Sequence, residues 1–474
     1  MNDAAVLEVS LQKEAVDELD GVERRVVRKT DGFLLPFLVL LLILCFLDRA
    51  NIANARLAGL EKDLNLSEGQ FLWCVAIYFF PYALSEIPSN IGLKRLRPSR
   101  WFAFIMISWG AAAVGMGFVK NFESLFATRF LLGMFEGGLF PGCVFYLSCW
   151  YRKRELATRL AIINGAASLA NALGGLLAFG ITRLGDPLRP WQWLFIIEGI
   201  PSVIAGFLVY FYFPDFPLTA KFLTEKERAV AVARLQKDAR FDPHMTRTNK
   251  KYMLEVFKEP RVYLFALVGS TFTFALYALT NFLPTIINQM GHDKYTSQAL
   301  TFAPNFVAFF VSVSIAIHSD HRFERGFHLA AVGLLGACGY LILMLARNNA
   351  VRYFAVFLVV AAMGSAPPIG LMWANANFYP AEKRAVAIGF IASVANCIGA
   401  TGTQIYRKDD EPDYVRGHTI LFCATLLTII LAFTIKIYLY YLNRSRERQS
   451  NANTVEMEGT KEVTDRDPDF RFAL

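Results

Sequence analysis

The sequence predicts an all-α membrane protein, twelve transmembrane helices in two pseudo-symmetric six-helix bundles, and three observations predict it. Of 474 residues 55% are hydrophobic and 14% aromatic, more apolar than a water-soluble chain of this size. Twelve apolar runs long enough to span a bilayer, at roughly 20 residues per crossing, fall six on either side of one charged stretch. Finally, SLANALGG at 168–175 aligns without a gap with SVANCIGA at 393–400, carrying the fifth run onto the eleventh. Parallel six-helix repeats of this kind put a binding site between the halves, near the bilayer midplane.

In chain order, residues 1–32 are polar, acidic and then basic through Arg24, Arg25, Arg28 and Lys29, and lack a signal peptide's apolar core and cleavage site; a cytoplasmic tail is expected. The N-terminal bundle, 33–213, holds runs near 33–54, 70–90, 101–119, 124–148, 157–181 and 193–213. The divider, 214–261, reads as a cytoplasmic linker with an amphipathic helix, opened by the T-x-x-E capping box of Thr224 and Glu227. The C-terminal bundle, 262–441, holds runs near 262–289, 298–318, 327–346, 352–375, 385–405 and 417–441, and 442–474 is a second cytoplasmic tail. Pro284 can break the seventh helix and free backbone groups at a cavity, and Gly364, Pro367, Pro368 and Gly370 suggest an irregular, bendable tenth helix or a static kink in it.

A net charge of +8 brings nucleic acid to mind, but the basic residues gather in short runs such as KRLRPSR and YRKRE between apolar stretches. The positive-inside rule accounts for them with both termini cytoplasmic, and no nucleic-acid partner is expected. The seven cysteines lie in or beside apolar runs and read as small core residues rather than a disulfide framework. The six histidines, 244, 292, 318, 321, 328 and 418, fall in loops or at helix ends, mostly solvated; neither a metal nor a cofactor is expected. No nucleophile constellation, phosphate loop or ATP-binding motif is present, which argues against an enzyme or an ATP-driven pump.

The chemistry lies in charges inside apolar runs. In RFLLGMFEGGLFPG, 129–142, Arg129 and Glu136 are seven apart, hence on one helix face about 10.5 Å apart along the axis. Each costs roughly 2–3.5 kcal/mol at the bilayer centre, so both face protein or a watery cavity, as packing ion pairs or as functional groups. Asp48 on the first helix and Arg129 on the fourth each lie roughly 8–9 Å from the outer end of their helix and can meet at one height. Glu136 is deeper, near mid-membrane, where carboxyl groups serve as proton relays. Arg49, beside Asp48, points to another face and either assists binding or anchors the helix end. Asn171 and Asn396, the repeat-related pair, and Tyr277 and Asn281, four apart on the seventh helix, are candidate cavity residues or ordinary helix hydrogen-bonders.

FLDRANIANA at 46–55, RFLLGMFEGGLFPG, WYRKRELATRLAI at 150–162, WQWLFIIEGIPSVIAG at 191–206, FLPTII at 282–287 and TDRDPDFRFAL at 464–474 resemble one family over nearly the whole chain. It is the major facilitator superfamily, in particular its anion:cation symporter branch of fungal-type allantoate, nicotinate and vitamin permeases. The resemblance implies a plasma-membrane monomer that imports a small organic anion with protons by alternating access. It implies that Asp48 and Glu136 carry protons and that Arg129 binds the anion, work suited to a planar, always-charged guanidinium. The family's acid between helices two and three is missing from SNIGLKRLRPSR, whereas HSDHRFERG between helices eight and nine keeps Asp320 with Arg322 and Arg325. Gating charges are therefore expected mainly in the second half. The alternatives are a uniporter or antiporter exporting a metabolite, and a solute receptor without transport, which would be expected to carry a sizeable soluble domain.

Overall fold

Backbone in a bilayer must satisfy its own hydrogen bonds, which favours helices. The computed structural model describes residues 3–237, 255–322, 324–379, 381–452 and 471–473. Among these residues there are helices, short 3-10 turns and no strand. The first bundle comprises α1 (Asp3–Leu57), the single turn α2 (Leu60–Asp63), α3 (Glu68–Ala76), α4 (Phe79–Arg95), α5 (Pro98–Met116), α6 (Phe122–Glu136), α7 (Leu139–Ser148), α8 (Lys153–Ile181) and α9 (Pro190–Tyr212). Helix α10 (Glu225–Lys237) follows outside it. The second bundle comprises α11 (Pro260–Asn288), α12 (Lys294–Leu300), α13 (Phe302–Arg322), α14 (Gly326–Leu345), α15 (Asn349–Ala376), α16 (Ala381–Thr401) and α17 (Val415–Ala452). Nine helical stretches among the described residues are long and apolar enough to cross a membrane, and α3–α4, α5 and α8 account for the other predicted runs.

The repeat is visible in the packing. In the first bundle α5 lies along α9 and α1 along α8; in the second, α14 lies along α17 and α11 along α16, the same partners six spans later. Between the bundles α8 meets α13 and α4 meets α16. Large apolar side chains such as Leu84, Phe211 and Leu345 are more than two-thirds exposed, a surface that fits lipid rather than water.

Several local expectations are corrected. Helix α1 reaches back to Asp3, so the expected tail is helical in continuation of the first span. The second run is interrupted at 77–78 and the fourth at Gly137–Gly138. There α4 crosses unusually close: a Cβ on Gly133 would lie 2.0 Å from the Tyr78 carbonyl oxygen, and one on Gly137 2.3 Å from that of Tyr82. Only glycine admits backbone at that distance. Pro284 does not break α11, nor Pro367 and Pro368 α15, since neighbouring turns and packed helices tolerate the lost bonds. Cys45, Cys74 and Cys143 are core residues, but Cys338, Cys397 and Cys423 are exposed. His418 is wholly buried, 3.1 Å from the Tyr406 hydroxyl, rather than solvated.

The two ends of the bundle differ. On the face that carries α10, here the proximal face, Lys29 donates to Glu227 at 2.7 Å and Phe33 stacks on Phe222 with centroids 4.7 Å apart, so α10 is fastened to the first bundle. The capping box of Thr224 and Glu227 is formed, with Thr224 N donating to Glu227 Oε2 at 2.9 Å. At the opposite, distal face the halves are joined: Thr182 Oγ1 lies 3.0 Å from Gln298 Oε1, Gln298 Nε2 donates to the Asn54 carbonyl at 3.4 Å, and Lys408 pairs with Glu61. Arg56 completes that closure, donating to Glu61 at 3.1 Å with its guanidinium 5.1 Å from the Phe282 ring centre.

Candidate functional site

Helix α1 supplies two successive charges to different partners because neighbouring residues point about 100° apart around a helix. Asp48, 1% exposed, accepts through Oδ2 from Trp109 Nε1 of α5 at 3.2 Å and Ser202 Oγ of α9 at 2.8 Å. Arg49 turns instead to α6, where Nε and Nη2 donate to Glu136 Oε1 at 3.3 and 3.0 Å. The rings of Phe46, Tyr78 and Tyr82 surround its guanidinium at 5.2, 5.2 and 4.7 Å, a cation–π cage. Cys45, one turn before Arg49, donates its thiol to the same Glu136 oxygen at 3.0 Å.

Arg129 stands two turns before Glu136 on α6 and is likewise 1% exposed. Its guanidinium carbon lies 6.0 Å from the Phe195 ring centre of α9, and Nε and Nη2 have no hydrogen-bond partner among the described residues. An unpaired buried ion carries a penalty of several kcal/mol, which a bound carboxylate would offset through the planar fork. Glu136 Oε2 and Asp48 Oδ1 are also unpartnered among the described residues. The expected meeting of Asp48 and Arg129 is not made as a hydrogen bond in this arrangement. Arg49 is not a helix-end anchor; it is the partner of Glu136.

The second bundle contributes polar groups without charge. Tyr277 of α11 donates its hydroxyl to Asn396 Oδ1 of α16 at 2.6 Å, and its ring stacks on Phe79 of α4 with centroids 4.1 Å apart. Asn281 Nδ2 donates back to the Tyr277 carbonyl at 2.7 Å, an intrahelical bond. Asn171, the repeat mate of Asn396, is half-buried on α8. Arg322 is exposed at the end of α13 and Arg325 reaches Ser319 Oγ at 3.3 Å, while the side chain of Asp320 lies outside the described residues.

Sequence reasoning missed Trp109, Ser202, Cys45, Tyr78 and Tyr82, residue types common in any apolar helix, whose polar tips carry no separate signal. It also passed over Glu198 of α9, buried like Glu136 and readable by the same sign, an acid inside an apolar run.

The chain matches the Major Facilitator Superfamily model over residues 38–403. It is 33% identical over 446 residues to the MFS transporter prlL of Fungal sp. (strain NRRL 50135), covering 91% of this chain and 89% of that protein. It is 30% identical over 466 residues to the major facilitator-type transporter hxnP of Emericella nidulans, covering 95% and 93%. Among solved structures, the inward-open xylose transporter XylE from E. coli superposes with a TM-score of 0.67 at 14% identity, over 84% of this chain and 94% of that one. A bacterial Spinster homologue in an inward-facing, unoccupied state gives 0.65 at 15% identity, over 85% and 95%. With curated relatives matched along nearly their whole length and the helical architecture shared with solved transporters, this chain belongs to the Major Facilitator Superfamily, as a multi-pass membrane transporter of small solutes.

Proposed function

We propose that the chain imports a small organic anion, a carboxylate of the allantoate, nicotinate or vitamin type, together with protons, as a member of the anion:cation symporter branch. The observation that carries this reading is Arg129, wholly buried with two guanidinium nitrogens unmatched among the described residues, while Glu136 on the same helix is already paired with Arg49. Arg129 takes the substrate carboxylate in its fork, and Arg49, Asn171, Tyr277, Asn281 and Asn396 line the path. Asp48 and Glu136 carry the protons. Protonating Glu136 removes the charge that holds Arg49, and a substrate anion then competes for that guanidinium. Proton and anion binding favour each other, and the linkage is reciprocal. The protein sits in the plasma membrane with both termini cytoplasmic; Asp320, Arg322 and Arg325 belong to its inner gate, and the functional boundaries are those of bundles 33–213 and 262–441.

The test is uptake of labelled nicotinate, allantoate, pantothenate and biotin by cells lacking their own permeases, with the proton gradient intact and collapsed. At least one acid is expected to accumulate only with the gradient. Glu136→Gln, which cannot release a proton, should keep counterflow of labelled acid and lose accumulation. Accumulation by that variant with parental pH response would remove Glu136 from the coupling.

A further inference from the structure

Helices α1 and α9 meet through two short-range pairs. Asp48 and Asn51 are three apart on α1, and Glu198 and Ser202 are four apart on α9, so each pair shares a face. Ser202 donates to Asp48 at 2.8 Å, and since the helices run in opposite directions, Glu198 stands one turn distal of that bond, against Asn51. Both oxygens of Glu198 and Oδ1 of Asp48 accept no well-formed hydrogen bond among the described residues, and the Asn51 amide, the polar side chain turned to Glu198, makes none in good geometry. Glu198 is 5% exposed and Asn51 1%. Native interiors leave few such groups unmatched, and a cluster of them asks for a reason.

The charged groups around Glu198 can be named. Asp48 faces it from α1, Arg129 lies over Phe195 one turn away, and α5 presents Trp109, which is spent on Asp48. Arg129 is the group proposed to take the anion, so Glu198 faces the acid Asp48, which in turn feels the charge of Glu136, and has no cation bonded to it among the described residues. Two charged carboxylates so enclosed would repel each other, and one proton between them relieves that repulsion.

We propose that Glu198 is a third proton-holding residue, which shares one proton with Asp48 across the Asn51 amide. The inference rests on the proton-coupled reading above. The pair then carries one negative charge in total: a proton on Glu198 leaves Asp48 free to accept from Trp109 and Ser202, and a proton on Asp48 leaves the charge on Glu198. When the second acid is removed, the remaining one loses the repulsion that helped it hold the shared proton.

The test compares the parent with Glu198→Gln and Glu198→Asp for uptake of labelled nicotinate, allantoate, pantothenate and biotin across the neutral pH range. In Glu198→Gln the alkaline decline of uptake should move toward acid by about one pH unit, the scale of a like-charge interaction. Glu198→Asp, which keeps the acid, should restore the parental profile; a purely structural residue would change amount without moving the profile. A Glu198→Gln profile superimposed on a pH-dependent parent overturns the inference and leaves proton coupling intact. A parent indifferent to pH and gradient overturns proton coupling itself, and the inference with it. Should Glu198→Gln fail to reach the membrane, a hydrophobic carbodiimide, which couples to protonated carboxyls, is applied to the unaltered protein at neutral pH. An adduct on the Glu198 peptide supports the inference, and an unlabelled Glu198 beside labelled membrane carboxyls overturns it.

Discussion

Replacing Arg129 with lysine separates charge from shape. The ammonium keeps the positive charge but loses the planar fork, so affinity for the carboxylate should fall about 10- to 100-fold, the worth of one charge-assisted hydrogen bond, while membrane abundance holds. Uptake kinetics on the labelled acids check this; parental affinity would rule out a bidentate role for Arg129. At this scale the sequence was informative where an ionisable group interrupts an apolar run. Asp48, Arg129 and Glu136 announce themselves that way, because lipid tolerates none of them. Their partners do not. That Arg49 would reach Glu136, and Asp48 would take Trp109 and Ser202, depends on helix rotations that spacing within one helix cannot give.

Between elements, the crossing of α4 over α6 depends on glycine. Gly133→Ala would drive a methyl group against the backbone of Tyr78, and strain from such overpacking costs about 1–3 kcal/mol or more. Gly180→Ala, which meets nothing within 4 Å, is the matched control. Thermal unfolding of the detergent-purified protein should show a lowered midpoint for the first and little change for the second; equal midpoints would mean the crossing relaxes freely. Twelve spans and their pairing by repeat were legible because hydrophobic length and a recurring motif record them. The interruptions at 77–78 and 137–138 were not, since each arises from a neighbour's approach, whereas Pro284 and Pro367, the obvious breakers, sit in continuous helices.

For the whole molecule, polar contacts join the two bundles at the distal face. Lys408 and Gln298 reach across from the second bundle to Glu61, Thr182 and Asn54 of the first. Lys408→Ala with Gln298→Ala should shift the population toward distal opening. Spin labels on cysteines introduced at the exposed positions Lys62 and Arg407 would report it as a longer distance population, and an unchanged distribution would assign closure to apolar packing alone.

Among the described residues, the buried carboxylates and guanidiniums of the candidate site belong to the first bundle, on α1, α6 and α9, while the second offers Tyr277 and Asn396. Such a division of labour lets a lineage, or an engineer, retool one partner without disturbing the other. In the proposed symporter, diversifying α11 and α16 would sample new cargo shapes against an unaltered set of charges, so descendants of one ancestral carrier would drift apart in diet while sharing a single power supply.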